Sequence, residues 1–215
     1  MRNHYFIVSY SGGKDSTAML VYLRKNHYPI DEVIYCRDPF PYGWRIMYKY
    51  FKYIEKTLNL KITKLKLPFL KIIDEVGSIP KLPNPYCVHS KIGNIINYIK
   101  NKYGSTGITF YVGTRAKESK KRANYIYHEW GMEYPFNKKY CVDYLEEYPI
   151  FHLEDPIKFL KENNIEINPL YKKHNVERLS CKVCPKVHWR SIFIPFLEKN
   201  KKKVKPRQEK NYIEK

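Results

Sequence analysis

Near the N-terminus the chain reads Ser9-Tyr10-Ser11-Gly12-Gly13-Lys14-Asp15-Ser16. Adjacent glycines let backbone N–H groups approach an anion with no Cβ in the way. Lys14 adds a full positive charge, Ser9, Ser11 and Ser16 add hydroxyl donors, and Asp15 adds a carboxylate able to hold a divalent cation. Residues of these types in this order suit phosphate. The spacing is not G-x-x-x-x-G-K-[ST], so this is not the common nucleotide loop. Further along, Gly113-Thr114-Arg115-Ala116-Lys117-Glu118-Ser119-Lys120-Lys121-Arg122 joins a flexible strand end to several cations. Arginine forks suit phosphate or sulfate oxygens, which they bind bidentately; the plainer reading is a basic surface loop. A third candidate, Cys181-Lys182-Val183-Cys184, offers two thiolates at a spacing suited to Zn²⁺ or an iron–sulfur cluster, or else a buried or redox thiol pair.

These segments need a scaffold that brings them together. Tyr5–Val8 reads as a strand, Thr17–Lys25 as a helix and Glu32–Tyr35 as a second strand. Trp44–Leu60 has helical spacing, with Ile46, Tyr50, Phe51, Ile54 and Leu58 on one side. Ile62–Leu67 reads as a third strand, Leu70–Val76 as a short helix and Gly77–Tyr86 as a proline-broken loop. Val88–Tyr103 is helical, Ile108–Val112 is a fourth strand and Asp155–Asn163 another helix. Tyr125–Tyr148 lacks clear periodicity and reads as an insertion or flap. Alternation of this kind predicts an α/β fold, a mainly parallel sheet with helices on both faces. Right-handed crossovers then place every parallel strand's C-terminal end on one edge, where ligands bind. The glycine loop, Cys36-Arg37-Asp38 and Gly113-Thr114-Arg115 all converge there. Cys36 itself lies in a predicted strand and reads as core.

The motifs also carry a family likeness. SGGKDS resembles the PP-loop of the N-type ATP pyrophosphatases, and Gly113–Arg122 resembles the G-[IVT]-R-x-x-[ED]-S-x-x-R segment of the phosphoadenosine phosphosulfate (PAPS) reductase family. Asn168-Pro169-Leu170-Tyr171 followed by Arg178-Leu179-Ser180-Cys181-Lys182-Val183-Cys184-Pro185 is similar to that family's N-P-L-Y…R-x-x-C-x-x-C-P. Pro85-Tyr86-Cys87-Val88-His89-Ser90-Lys91 resembles the segment in which iron–sulfur members carry cysteine pairs, with Tyr86 in one cysteine position. The resemblance runs from about residue 5 to 190. It implies an adenine-nucleotide alpha-hydrolase-like α/β/α sandwich over residues 1–195; the lysine-rich composition of residues 196–215, with few apolar residues, reads as a basic, flexible tail or an interaction arm.

It further implies that ATP, or a related nucleotide such as PAPS or APS, binds at Ser9, Ser11, Gly12, Gly13, Lys14, Asp15, Ser16, Asp38, Gly113 and Arg115. The expected reaction is cleavage of ATP to AMP and pyrophosphate, adenylating an acceptor in sulfur transfer or nucleic-acid modification. Lys14 would neutralise phosphate charge, Asp15 or Asp38 would hold Mg²⁺, and Arg115 and Arg122 would grip the α-phosphate or acceptor. Cys87, Cys181 and Cys184 would together suit a 4Fe-4S cluster with one open iron, or Zn²⁺ with a fourth ligand from Cys141, His89 or His188. The sulfonucleotide reductases of the family carry a reactive cysteine in a C-terminal E-C-G-[IL]-H-type motif. No cysteine follows Cys184 here, so the usual thiolate attack on sulfate sulfur lacks its nucleophile. Sulfonucleotide reduction and non-catalytic nucleotide or nucleic-acid binding stand as the alternatives.

Composition sets the remaining bounds. The formal net charge is +19 over 215 residues, which points to polyanionic partners such as tRNA or DNA, or else to a general lysine coat. Lys199, Lys201, Lys202, Lys203 and Lys205 cluster in the tail. A continuous stripe of cations would favour nucleic acid, an even spread the coat. No apolar stretch approaches the ~18 residues that span a bilayer, and the N-terminus runs straight into the glycine loop without a signal-peptide pattern. With an odd number of cysteines reading as ligands or thiols, the expectation is a cytoplasmic protein without membrane contact, with a sulfur donor as a further partner.

Overall fold

The apolar residues of the first strand alternate between two faces, and both faces are buried. Ile7 and Val8 are each fully inaccessible but belong to different core clusters. A strand covered on both sides requires layers above and below it, and the computed structural model shows three layers. It describes residues 4–37, 43–67, 72, 86–104, 107–118, 132–137, 142–175 and 179.

The elements in order are β1 (His4–Ser9), α1 (Lys14–Lys25), β2 (Glu32–Arg37), α2 (Trp44–Thr57), β3 (Ile62–Lys66), α3 (Tyr86–Tyr103), β4 (Gly107–Tyr111), a 3-10 turn (Ala116–Glu118), β5 (Met132–Asn137), β6 (Val142–Glu147), α4 (Pro156–Glu162) and α5 (Leu170–His174). The sheet order is β3-β2-β1-β4-β6-β5. Neighbouring strands are parallel except β5 against β6. Chain progression runs outward from β1 through β2 to β3, then returns to β4 on the other side of β1. The reversal leaves a crevice at the C-terminal ends of β1 and β4, the place where sheets of this type bind ligands.

Helices α1 and α2 cover one face. Met19, Leu20 and Leu23 of α1 and Phe51 and Ile54 of α2 are fully buried there with Val8. Ile95, Ile96 and Ile99 of α3 cover the other face against Ile7, Ile34, Ile108 and Phe110. Cys36 is 7% exposed in this second cluster, as its strand position predicts.

Two sequence expectations change. Residues 125–148 do not form a flap throughout: β5 and β6 extend the sheet by two strands. Their pattern was obscured because β6 carries Asp143, Glu146 and Glu147, and β5 carries Pro135. Proline is tolerated because β5 is an edge strand, and the β5–β6 register shifts between Tyr134 and Asn137. Helix α1 starts at Lys14, not Thr17, so the glycine motif supplies its whole first turn. The predicted loop over 77–86 lies outside the described residues except Tyr86, which opens α3; the predicted helix over 70–76 also lies outside them, apart from Ile72. The tail over 196–215 lies wholly outside them. Among the described residues no helix is long and apolar enough to cross a membrane.

Candidate functional site

Strand β1 ends at Ser9, and Tyr10 extends its ladder by donating from its N–H to the Ile34 carbonyl at 2.9 Å. The chain then turns sharply. Gly12 has φ of +76°, and a Cβ there would lie 2.7 Å from both Met47 Sδ and Phe51 Cε1 of α2. Any larger residue would be strained by its backbone and blocked by that floor. Gly13 follows as the N-cap of α1, with no side-chain cap. The helix therefore opens with first-turn N–H groups and the positive end of its dipole facing the crevice.

The loop's polar groups close on themselves. Gly13 N–H donates to Ser11 Oγ at 3.3 Å, the Ser11 and Ser16 hydroxyls lie 2.9 Å apart, and Ser16 Oγ donates to the Gly13 carbonyl at 3.1 Å. Thr17 Oγ1 donates to the same carbonyl at 2.9 Å. Behind the loop, Tyr10 Oη and Thr17 Oγ1 are 3.1 Å apart. Burial pushes the Tyr10 and Tyr50 phenols well above their ordinary range, so both stay neutral.

Asp15 projects from the first turn of α1 and meets Arg115, which follows β4. Arg115 Nε donates to Asp15 Oδ1 at 2.6 Å, and the same guanidinium donates to the carbonyls of Leu153 at 3.3 Å and Glu154 at 2.9 Å. The Arg115 side chain is only 9% exposed. Lys14 Nζ lies 3.8 Å from Asp15 Oδ2. Gly113 makes this convergence possible: a Cβ there would sit 3.1 Å from the backbone of Asp15 and Ser16. The end of β4 thus presses directly against the first turn of α1.

A third contribution comes from Asn168-Pro169-Leu170-Tyr171, a motif whose side chains had no role assigned from the sequence. Asn168 is 1% exposed and its Nδ2 donates to the Gly12 carbonyl at 2.9 Å. Its Oδ1 accepts from Leu170 N–H at 3.1 Å, which fixes the start of α5. Tyr171 Oη then accepts the Lys14 backbone N–H at 2.8 Å, and Lys14 Nζ lies 5.2 Å from the Tyr171 ring centroid. The available signal was an amide before Pro169, where the chain is turned, next to an aromatic residue.

The structure thus gathers Ser11, Gly12, Gly13, Lys14, Asp15, Ser16, Gly113 and Arg115 at one edge, with Ser9 at the end of β1. Asp38, Arg122, Cys181 and Cys184 lie outside the described residues. Cys87 falls in the first turn of α3, and its side chain is outside the description. Among the described residues no group of three or more His, Cys, Asp or Glu side chains is placed to hold a metal ion. The arrangement can bind a polyanion at a helix N-terminus beside a lysine and a fixed carboxylate.

A model of the phosphoadenosine phosphosulfate reductase domain matches residues 5–192. No curated protein matches the sequence. Among solved structures, the chain is similar to PAPS reductase from Candida auris in its phosphate complex, at 11% identity and a TM-score of 0.55, covering 86% of this chain and 83% of that one. It is also similar to the U34-tRNA thiolase NcsA from Methanococcus maripaludis with its [4Fe-4S] cluster, at 14% identity and a TM-score of 0.44, covering 94% of this chain and 67% of that one. The first likeness establishes a shared fold.

Proposed function

The chain belongs to the phosphoadenosine phosphosulfate reductase family, and on that premise we propose that it binds ATP at the glycine loop and cleaves it between the α and β phosphates. The observation that carries this reading is the loop at the topological switch point. The start of α1, Lys14 and the Ser11 and Ser16 hydroxyls lie together at one sheet edge beside the Asp15–Arg115 pair.

The β and γ phosphates would exchange the loop's internal hydrogen bonds for bonds to phosphate oxygen. Lys14 would neutralise their charge. Asp15 or Asp38 would supply carboxylate oxygen to Mg²⁺, which when bound neutralises charge on the phosphate oxygens. Arg115 acts here as a positioning residue, since its guanidinium already holds Asp15 and two carbonyls. Arg122 is assigned to the α-phosphate or the acceptor. A nucleophile of the acceptor attacks the α-phosphorus, the bond to the bridging oxygen breaks, and pyrophosphate leaves with the electron pair. The acceptor becomes the adenylate and its proton passes to solvent; a second nucleophile, in sulfur transfer a sulfide or persulfide, then displaces AMP. Cys87, Cys181 and Cys184 would offer thiolates for zinc or an iron–sulfur cluster, which would supply a sulfur-handling centre.

A second reading follows from the family itself: the same crevice would take a sulfonucleotide. Anaerobically purified protein with Mg-ATP and candidate acceptors should release AMP and pyrophosphate, and Lys14→Ala should lower the rate by about 100-fold, the scale of losing one charge-stabilising donor. Release of ADP and phosphate would overturn the cleavage. Release of sulfite from PAPS would favour the second reading. Equal ATP affinity in wild type and Lys14→Ala would remove the loop as the site.

A further inference from the structure

Helix α2 breaks the local rules for a stable surface helix, and in one direction only. Its solvent-exposed residues include Arg45, Lys49, Lys52 and Lys56, spaced four, three and four apart, which puts all four on one face. Like charges at these spacings repel, and Arg45 opposes the helix dipole in a first turn that holds no acid. The helix has one carboxylate, Glu55, and it is turned toward β3. Glu55 accepts from Lys64 Nζ at 2.9 Å and from Ile62 N–H at 3.0 Å, with Lys52 Nζ 3.3 Å away. Arg45, Lys49 and Lys56 make no ion pair among the described residues. Tyr48 lies within the stripe and is 42% exposed, the one large hydrophobic side chain so exposed among the described residues.

The surface around α4 is mixed in charge by contrast. On and around α4, Lys158 pairs with Glu162 at 4.0 Å, Lys117 pairs with Glu154 at 2.9 Å, and Asp155 caps the helix. The stripe also begins beside the crevice. Trp44 opens α2 with Arg37, the last residue of β2, 4.5 Å over its ring, and Met47 and Phe51 on the opposite face of α2 form the floor under Gly12.

We propose that the outer face of α2 is a docking surface for single-stranded nucleic acid, with Arg45, Lys49, Lys52 and Lys56 on the phosphates and Tyr48 stacking on a base. A cationic track with an interleaved aromatic ring is the arrangement that binds unpaired strands without reading their sequence. Four cations over ~16 Å of helix, at ~1.5 Å per residue, lead a strand toward the phosphate loop. The inference names the acceptor class for the ATP-dependent reaction proposed above and rests on that reading for its purpose, but its binding test does not depend on turnover.

The test uses the full chain and a labelled RNA of about twelve unpaired nucleotides, within the site sizes such surfaces cover. Binding is followed by fluorescence anisotropy across a salt series. Lys49→Gln/Lys52→Gln/Lys56→Gln should weaken binding at least tenfold and reduce the slope of log K against log salt by about 2, at ~0.7 per single-strand phosphate contact. Tyr48→Ala should cost about tenfold on the unpaired strand and little on a duplex of the same length. Lys158→Gln/Lys161→Gln on α4 serves as the control and should bind as wild type. Equal losses from the α2 and α4 variants would overturn the proposal in favour of a general lysine coat. Tighter binding of duplex than single strand, or equal competition by poly-glutamate, would overturn the choice of occupant. Lys14→Ala should keep RNA binding while losing AMP release, which separates failure of this surface from failure of the nucleotide reading.

Discussion

Glu32 is a buried and Asp15 a half-buried carboxylate at opposite edges of the same mainly parallel sheet, and they are held in opposite ways. Glu32 opens β2 at the N-terminal edge. It accepts from Thr63 Oγ1, from Tyr98 Oη at 2.8 Å, and from Lys102 Nζ and Tyr103 Oη at 2.9 Å each. Asp15 stands at the C-terminal edge with Arg115 on one oxygen at 2.6 Å and Lys14 at the looser distance of 3.8 Å from the other. Beside Glu32 lies an open cavity of about 680 Å³ lined by Arg24, Asn59, Lys61, Lys64 and Tyr98 among others. Volume alone would place a ligand there. Yet the donors around Glu32 are spent on it, and parallel sheets bind ligands at the other edge. The comparison sets a saturated carboxylate, which serves as a structural joint, against one anchored through a single oxygen with a lysine at a looser distance, the arrangement that the proposed chemistry requires.

The largest effect expected from this contrast is at Asp15. Asp15→Asn keeps an acceptor for Arg115 but removes the charge available to a metal. AMP and pyrophosphate release should fall by about 100-fold or more, in line with the loss of one charge-stabilising group, while the thermal midpoint stays near that of wild type. Steady-state kinetics beside a melting curve reads both. A variant that melts early and keeps its rate would assign Asp15 the joint role instead.

Glu32 should behave in the reverse way. Glu32→Ala leaves three hydroxyls and an ammonium without their common acceptor, a loss of about 1–3 kcal/mol, with nucleotide turnover unchanged at temperatures where the protein is folded. The pH dependence gives a second check. Burial by itself would raise the Glu32 carboxyl, but donation from Thr63, Lys102, Tyr98 and Tyr103 outweighs it and holds the group below its ordinary value. A lowered folded value contributes stability that is complete above the unfolded value, near ~4.3, and is lost as pH falls through the folded one. The stability gap between wild type and variant should therefore be flat from pH 6 to 8 and close only in acid. Burial moves Glu146 and Glu147 the other way, so the wild-type curve alone would mix opposite trends; the difference between the two proteins isolates Glu32. A gap that widens as the pH is lowered would contradict the network.

How much of this was legible beforehand depends on the range of each contact. The β1-loop-α1 segment is local, and its residue types alone point to an anion cradle. The meeting of that loop with Gly113–Arg115 follows from strand alternation plus crossover handedness, so the sheet edge was readable too. The pairing of Asp15 with Arg115 across 100 residues was not, because Asp15 reads as a Mg²⁺ ligand and Arg115 as a direct phosphate contact. Asn168 and Tyr171 reach back 156 and 157 residues to backbone atoms of the loop. A side chain that serves a distant backbone group leaves no periodic trace. Strands β5 and β6 were hidden for a different reason: Asp143, Glu146, Glu147 and Pro135 interrupt the alternation by which strands are recognised.

The smallest effect, and the sharpest test of how the loop is poised, is at Tyr171. Its hydroxyl accepts the Lys14 N–H at 2.8 Å, one of the first-turn donors that an anion at the start of α1 would otherwise take. Tyr171→Phe keeps the ring beside Lys14 Nζ and removes only the acceptor. In the ligand-free protein the Lys14 N–H then loses a bond worth about 0.5–1.5 kcal/mol net, which lowers stability slightly. In the bound protein a phosphate oxygen replaces the hydroxyl, so the same bond no longer competes with nucleotide. ATP should accordingly bind about two- to tenfold tighter to Tyr171→Phe by calorimetric titration, the range that this bond energy converts to. The melting temperature should fall by a few degrees without ATP, at ~2–4 °C per kcal/mol, and recover at saturating ATP. Weaker binding would mean that the hydroxyl stays with the loop and contacts the phosphate itself, making Tyr171 part of the cradle rather than its occupant.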